Sequence, residues 1–304
     1  MSDSDLENLA AGTHPTGHAS ERTVGGKLVL LLGTFLMLVI VCGGLFLVFR
    51  VDLDDRVQEM VIYLGHDDPK FRKMAAFQLW KVGEGTTQEV RRNAGIDESM
   101  VGHKLLTAFR SKRTRETDTR RFLSLALGHF NCQQAVPYLI KEIQIPNQPS
   151  PDLRLSVLFS LGMLQNPDAI SALIEETRNE QADVRQAAAD GLGRMGDRSV
   201  INDLKKLLDD PNSEVEWSAA LALANLGSSA GGKSLGKILN TEFIDSLDGM
   251  NEQLRERIMV RSIRAISRLR IAGFEEELKK IGSSDRNLRV RSAALRAMKD
   301  MKGK

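Results

Sequence analysis

Apolar residues return on one helical stripe at a regular interval along most of this chain. Blocks 152–164, 183–195 and 214–226 are evenly spaced, and each is followed by a turn and a second apolar-periodic segment. After Arg154, apolar residues stand 3, 7 and 10 positions later, which places them on one face of an α-helix. The same offsets recur from five other reference positions: Arg72, Arg120, Arg185, Glu216 and Arg291. The pattern predicts a series of helical hairpins.

Each predicted hairpin has two partly apolar faces and cannot cover both by itself. Small residues beside the stripe, such as Gly191 and Ala222, allow neighbouring helices to approach closely. Stacking the hairpins side by side buries the exposed faces and produces a solenoid. We therefore predict an all-α fold, with an α-solenoid over residues 57–302.

Two insertions interrupt the repeat. Residues 84–110 are expected to form an extended second helix, and residues 241–253 form a second insertion before a later repeat. Insertions in solenoids tend to project from one face and often contribute to binding.

An uncharged segment, residues 28–49, precedes the repeats. As a helix it would extend for roughly 33 Å, close to the thickness of a bilayer core. A cleaved signal peptide is the main alternative, but its apolar stretch would be only about 7–15 residues. We predict a disordered tail at residues 1–26 and a transmembrane helix at residues 27–50, in a bacterial inner membrane. Basic residues on the two sides nearly balance, with a slight preference for a solenoid on the non-cytoplasmic side.

The overall charge gives no sign of a dedicated nucleic-acid-binding protein. The formal net charge is +2, from 42 basic and 40 acidic side chains. Such a balance differs from the strong basic excess of most nucleic-acid-binding domains. The two cysteines, Cys42 and Cys132, lie in the apolar segment and in the repeats, so a disulfide between them is not expected.

The repeat blocks resemble a known family. The pattern D-x-V/L-R-x-A/S-A-x-x-x-L-G-x-L/M-G over 152–240, with a looser match over most of 57–302, is similar to short HEAT repeats named after phycobilisome lyases. The resemblance implies an Asp/Arg ladder between neighbouring repeats, formed by Asp152, Arg154, Asp183 and Arg185. Glu216 occupies an arginine position and would interrupt that ladder.

Catalytic motifs are not found in the sequence. There is no Walker loop and no GxSxG, and none of the five histidines is followed by Glu, as a di-iron HEAT site would require. We predict no catalytic, cofactor-binding or metal-binding residues, and a protein that is not an enzyme. Two alternatives stay open: attachment or detachment of a tetrapyrrole, as in phycobilin lyases, and HEAT-type nucleic-acid binding through Trp80 or Trp217.

Two sets of charged residues are candidates for binding a partner. The first set occupies equivalent positions on the predicted second helices: Lys141, Glu175, Lys206 and Lys237. The second is a basic run, which could meet anionic lipid or an acidic partner or form a solvated loop: Arg110, Lys112, Arg113 and Arg115, continuing to Arg120 and Arg121.

The sequence thus predicts a membrane-anchored scaffold that binds a protein. No nucleic acid is expected as a partner. A continuous positive stripe along one face would favour nucleic-acid binding. A cleft with clustered titratable residues would favour catalysis.

Overall fold

The computed structural model describes residues 53–145 and 150–302, and within these ranges the regular elements are all helices. The α-helices are α1 (53–63), α2 (Pro69–Gly85), α3 (Gln88–Asn93), α4 (Glu98–Arg110), α5 (Thr117–His129), α6 (Val136–Ile143), α7 (Pro151–Leu164), α8 (Ile170–Glu176), α9 (Ala182–Met195), α10 (Ile201–Lys206), α11 (Ser213–Asn225), α12 (Gly232–Leu239), α13 (Thr241–Asp245), α14 (Glu252–Leu269), α15 (Glu275–Ser284) and α16 (Leu288–Lys302).

The predicted tail at 1–26 and the predicted transmembrane helix at 27–50 lie outside the described residues and stay predictions. Among the helices of 53–145 and 150–302, none combines the length and the apolar character that a bilayer crossing needs.

Polar residues begin the first helix of each hairpin. The Asp68 side chain accepts a hydrogen bond from the Lys70 N–H, and Asn212 accepts from the N–H groups of Glu214 and Val215. These side chains satisfy amide groups that have no partner inside the helix. Pro69 and Pro151 occupy the first turns of α2 and α7, where a missing N–H costs nothing.

The hairpins stack as the periodicity predicts. Helices α2, α5, α7, α9 and α11 pack side by side in that order, and each of α6, α8 and α10 also packs against the first helix that follows it. The apolar stripes of α7, α9 and α11 are therefore enclosed by the neighbouring first helices and by the second helix that precedes each of them. The all-α, solenoid-like fold is confirmed for the described residues.

Backbone contact between glycines sets the spacing of the first helices. A Cβ atom built on Gly162 of α7 would lie 2.7 Å from the Cα of Gly191 on α9, and one on Gly193 would lie 2.6 Å from the Ala222 Cβ on α11. Real Cβ atoms do not approach this closely, because their van der Waals radii forbid it. These glycines allow α7, α9 and α11 to approach more closely than larger residues would permit.

The hydrophobic core divides at α11. Every residue from Val215 to Ala224 is buried, and the two sides of the helix contribute to different clusters. Val215, Ala219 and Leu223 pack into the core of the earlier repeats, while Trp217 and Leu221 pack with α12 and α14.

Helix α14 departs from the regular stacking of the first helices. It packs against α11, α12 and α16, and Arg268 donates a hydrogen bond of 2.6 Å to the Ala224 carbonyl on α11. Arg261 also reaches back to α9, where its Nη2 lies 3.9 Å from an oxygen of Asp190. This placement creates a depression between α14 and the preceding first helices.

Three arginines of the reference column, Arg120, Arg154 and Arg185, form ion pairs inside their own hairpins. Arg120 pairs with Glu142 on α6, with an Nε–Oε1 distance of 2.7 Å, and Arg154 pairs with Glu176 on α8. The resemblance implied a ladder between neighbouring repeats. Asp152 does reach the preceding hairpin, at 3.6 Å from Arg121, but Arg120 and Arg154 join the two helices of one hairpin.

The fifth hairpin keeps the ion pair with its charges exchanged. Glu216 is buried, and both its carboxylate oxygens accept hydrogen bonds from Lys237 on α12, at 2.8 and 3.0 Å. Ser234 donates a further bond of 2.6 Å. The expected interruption at Glu216 is therefore compensated by a basic residue at the facing position.

The first insertion forms two helices, α3 and α4, and the predicted single extended helix is wrong. Arg91 explains how they are held: its buried guanidinium donates to Glu98 at 2.6 Å and to the carbonyls of Gly83 and His129 at 3.2 and 3.0 Å. One side chain thereby joins α2, α3, α4 and α5. The second insertion contains the short helix α13.

We predict that Gly162→Ala destabilises the chain, because the new methyl group would collide with the α9 backbone. The free energy of unfolding should fall by about 1–3 kcal/mol, measured by urea denaturation of the full chain with circular dichroism. Gly85→Ala is the matched control, since a Cβ there meets nothing within 4 Å. Equal losses in both variants would contradict the close-contact explanation.

Candidate functional site

The four predicted charges of the second helices are all exposed, at equivalent positions of α6, α8, α10 and α12. Lys206 pairs with Asp203 on its own helix at 2.8 Å, and Lys237 binds the buried Glu216. The charge of Lys237 is therefore used within the fold. A partner-binding role for all four residues stays a prediction.

The basic run does not form one continuous patch. Arg110 lies over the Tyr138 ring, 4.7 Å from its centroid, and Arg113 pairs with Asp67 at 2.8 Å. Arg120 and Arg121 pair with Glu142 and Asp152. Lys112 and Arg115 are exposed, as are Arg110 and Arg113. Most of these charges thus connect neighbouring helices, and their binding of lipid or of a partner stays a prediction.

A groove of about 660 Å³ lies on the first-helix side of the stack, bounded by α14. We call it the first-helix groove. Its lining comes from α5, α7, α9, α11 and α14 and includes Leu125, Leu155, Phe159, Asp190, Arg194, Trp217, Leu221, Leu254, Arg257 and Arg261.

One column of the repeat supplies much of the lining. The residues five positions after the reference column are Leu125, Phe159, Asp190 and Leu221, and all four line the groove. They lie off the core stripe, whose members stand at offsets 3, 7 and 10. The groove therefore runs along successive repeats and is not confined to one hairpin.

Phe159 is the most exposed aromatic side chain of the groove, at 37%. The guanidinium carbon of Arg194 lies 5.0 Å from the centroid of its ring, within the range of a cation–π contact. Leu125, Leu155 and Leu254 are half-buried around it. The groove thus combines an apolar centre with charged residues at its margins.

Asp190 lies in the groove among three arginines. Burial raises the pKa of its carboxyl, and the nearby Arg261, Arg194 and Arg257 oppose that rise. The desolvation effect is the larger one, so ionised Asp190 is less stable here than in water.

Two other groups near the groove are the half-buried His129 and the buried Trp217. Burial lowers the pKa of His129, with Glu84 opposing the shift and Arg91 and Arg194 adding to it, so the imidazole is neutral at neutral pH. Trp217 is buried against Phe243, with 6.4 Å between ring centroids, and its Nε1 has no hydrogen-bond partner among the described residues.

Within residues 53–145 and 150–302, no group of three or more His, Cys, Asp or Glu side chains could hold a metal ion. Cys132 is buried, and burial raises the pKa of its thiol.

The first-helix groove is not among the sites predicted from the sequence. The signal was present in the column at offset 5, where Leu125, Phe159 and Leu221 are apolar although they lie off the core stripe. An apolar residue repeated outside the core face indicates a second buried or binding surface. Arg257 and Arg261 could not be assigned to it, because their approach depends on how α14 packs.

Comparisons with known families agree with the repeat pattern. Residues 170–247 match the family model for HEAT repeats, and residues 153–176 match the model for the PBS lyase HEAT-like repeat. The chain therefore contains HEAT-like repeats of the phycobilisome-lyase type.

Curated relatives match over parts of their length. The deoxyhypusine hydroxylase of Aspergillus clavatus is 40% identical over 78 residues, which cover 25% of this chain and 23% of the relative. The phycocyanobilin lyase subunit alpha of Picosynechococcus sp. is 33% identical over 103 residues, or 32% of this chain and 38% of the relative. The chain thus spans well under half the length of either protein.

Among solved structures, the complex of CpcE and CpcF of phycocyanin lyase from Nostoc sp. PCC7120 is similar in fold. The TM-score is 0.52 at 20% sequence identity, covering 81% of this chain and 94% of the other. At this identity the likeness supports the shared helical-repeat fold.

These relatives contradict one prediction, that the chain is not an enzyme. That prediction rests on the lack of a catalytic motif in the sequence. The curated relatives that the chain matches are named as a hydroxylase and as a lyase subunit. The prediction is therefore wrong: missing short motifs do not exclude catalysis on a helical-repeat fold.

We predict that Asp190→Asn increases stability at neutral pH. The folded-state pKa of Asp190 is raised, so its ionisation disfavours folding once the pH exceeds the ordinary value for Asp, about 3.9. As the pH falls through the raised pKa, the wild-type carboxyl becomes protonated and the advantage of the variant should shrink. Urea denaturation at pH values of about 7 and about 4 measures the difference.

Asp183→Asn is the control, since it removes an exposed carboxylate from the same helix and the same groove. Its free energy of unfolding should stay within about 0.5 kcal/mol of wild type at both pH values. An Asp190→Asn variant that is less stable at neutral pH would show that the attraction of the arginines exceeds desolvation.

Proposed function

We propose that this chain binds a protein partner through the first-helix groove. The observation that carries the proposal is an exposed Phe159 among half-buried leucines, with Asp190 and Arg194 beside it. Protein interfaces commonly combine an apolar centre, which becomes desolvated, with a charged margin that sets orientation.

The groove is suited to binding because packed helices already shape it. Its walls come from several first helices held at glycine contacts, so little backbone ordering is needed when a partner arrives. Preformed surfaces lose less conformational entropy on association than flexible ones. A partner segment could lie along the column of equivalent positions from Leu125 to Leu221.

The comparisons support binding within an enzyme assembly. The solved neighbour is a complex of two chains, named as CpcE and CpcF of phycocyanin lyase, and one curated relative is named as a lyase subunit. By analogy, we propose that this chain contributes its repeat surface to a complex whose other component it recognises in the groove.

Site-specific photo-crosslinking tests the proposal. A benzoylphenylalanine in place of Phe159, in the full chain in its native cells, should crosslink to one discrete protein. The same substitution at Phe71 is a matched control, because Phe71 is a phenylalanine of nearly equal exposure, 39%, on α2. We expect at least about a fivefold weaker product from position 71, since side chains outside an interface contribute little contact.

A second variant separates specific from incidental crosslinks. Ala187 lines the groove, so Ala187→Trp should fill it and remove the product at position 159. Equal products at positions 159 and 71, or a product that persists after Ala187→Trp, would contradict binding in the groove. Capture of a small molecule without any protein would do the same.

We also propose that residues 28–49 anchor the protein in a membrane. The support is the sequence itself, because this segment contains no charged residue and is flanked by Lys27 and Arg50. The anchor would restrict binding to partners at or near the membrane surface.

Carbonate extraction of cell membranes tests the anchor. The full chain should stay in the membrane pellet at high pH. The double variant Leu36→Arg, Ile40→Arg should shift to the supernatant, because each central arginine costs about 3 kcal/mol of insertion free energy. The double alanine variant at the same positions is the control and should stay in the pellet. Release of the unmodified chain would contradict the anchor.

A further inference from the structure

Helix α14 presents a stripe of arginines on its exposed side. Arg257, Arg261, Arg264 and Arg268 follow one another at alternating intervals of four and three positions, so they lie on one face of the helix. All four are exposed, whereas their neighbours Ile258, Ile263 and Ile266 are buried. The stripe extends for about 17 Å along the helix axis.

Helix α16 faces this stripe across a second groove, of about 940 Å³. We call it the arginine groove. From α16, Arg289 and Arg296 add to the positive lining, while Glu256 and Asp300 are its carboxylates. Leu288 also lines the groove and is 71% exposed, an unusual exposure for a large apolar side chain.

Much of this positive charge is not neutralised within the described part of the chain. Arg289 pairs with Glu256 at 2.9 Å, and Arg261 is 3.9 Å from Asp190. By contrast, Arg264 and Arg296 line the groove from opposite helices without an ion-pair partner among residues 53–145 and 150–302. Like charges three or four residues apart on a helix repel one another. An anionic partner would relieve that repulsion.

We propose that the arginine groove binds an acidic segment of a protein, whose carboxylates pair with the stripe and whose aliphatic side chains cover Val260 and Leu288. This goes beyond the proposed role of the first-helix groove, because a different groove and a different chemistry are involved. Arginine suits the task because its planar guanidinium binds carboxylates through two parallel hydrogen bonds.

A protein segment fits the groove better than other anions do. A positive stripe is also the feature that a nucleic-acid interface would need, but grooves for single strands add aromatic side chains on which bases stack. None of the described residues that line the arginine groove is aromatic. A lipid bilayer presents a broad, nearly flat surface and cannot follow arginines into a depression between two helices.

Fluorescence anisotropy with a defined probe tests the proposal. The probe is a fluorescein-labelled peptide of about 15 residues built from Glu and Leu, which as a helix would be long enough to follow the stripe. It should bind the full chain, and raising NaCl from about 50 mM to about 300 mM should weaken binding, because exposed charges are screened. The variant Arg264→Glu, Arg296→Glu should raise the Kd at least about tenfold.

The matched control is Arg198→Glu, Lys205→Glu, which changes the net charge equally at exposed positions around α10. It should leave the Kd within about twofold, since its charges lie outside the groove. Arg264→Gln, Arg296→Gln should give an intermediate loss. Circular dichroism of each variant verifies that the helices are retained.

Other results would overturn the proposal. Undetectable binding of the probe is one, and equal weakening by both charge-reversal variants is another. Oligothymidylate or anionic vesicles that bind in place of the peptide, with the same loss in Arg264→Glu, Arg296→Glu, would assign the groove to nucleic acid or lipid. Because the variants spare Phe159, Arg257 and Arg261, a failure here leaves the crosslinking test of the first-helix groove unaffected.

Discussion

The contact of helix backbones at glycine is the constraint on which this structure depends. Gly162 against Gly191, and Gly193 against Ala222, bring α7, α9 and α11 closer than larger residues would allow. At that spacing the apolar stripes of neighbouring hairpins cover one another, which is how a repeat gains stability that no single hairpin has. The first-helix groove depends on the same spacing, because the side chains at offset 5 come from adjacent first helices.

Ion pairs and apolar contacts connect different parts of the structure. Several ion pairs connect the two helices of one hairpin, as in Arg120 with Glu142, whereas the first helices of successive hairpins meet through their apolar stripes. Helix α14 shows both uses of arginine. Arg255 is buried and pairs with Asp285 and Asp245 at 2.6 and 2.7 Å, while Arg264 is exposed without an internal carboxylate partner among the described residues. Burial separates the structural arginines from those available to a ligand.

The repeat could be predicted because its cause is local. Offsets 3, 7 and 10 define the buried face of each first helix, and Leu127, Leu161 and Leu192 at offset 7 are fully buried. The charge exchange at Glu216 could not be recognised without knowing that Lys237 faces it. The first-helix groove could not be predicted either, because one of its walls is α14, which is far from α9 in the sequence. The chemistry of each side chain can be read from the sequence, but the sequence does not show which side chains face one another across the stack.

The ion pair at Glu216 reverses the charge order of the three preceding hairpins. In those hairpins Arg120, Arg154 and Arg185 supply the cation from the first helix, whereas here the first helix supplies the anion and Lys237 of α12 the cation. Replacing Glu216 or Lys237 alone would leave the other charge without its partner in a partly buried site, whereas exchanging the two residues keeps opposite charges face to face. The two positions are therefore energetically coupled across the hairpin, and neither can change sign independently of the other.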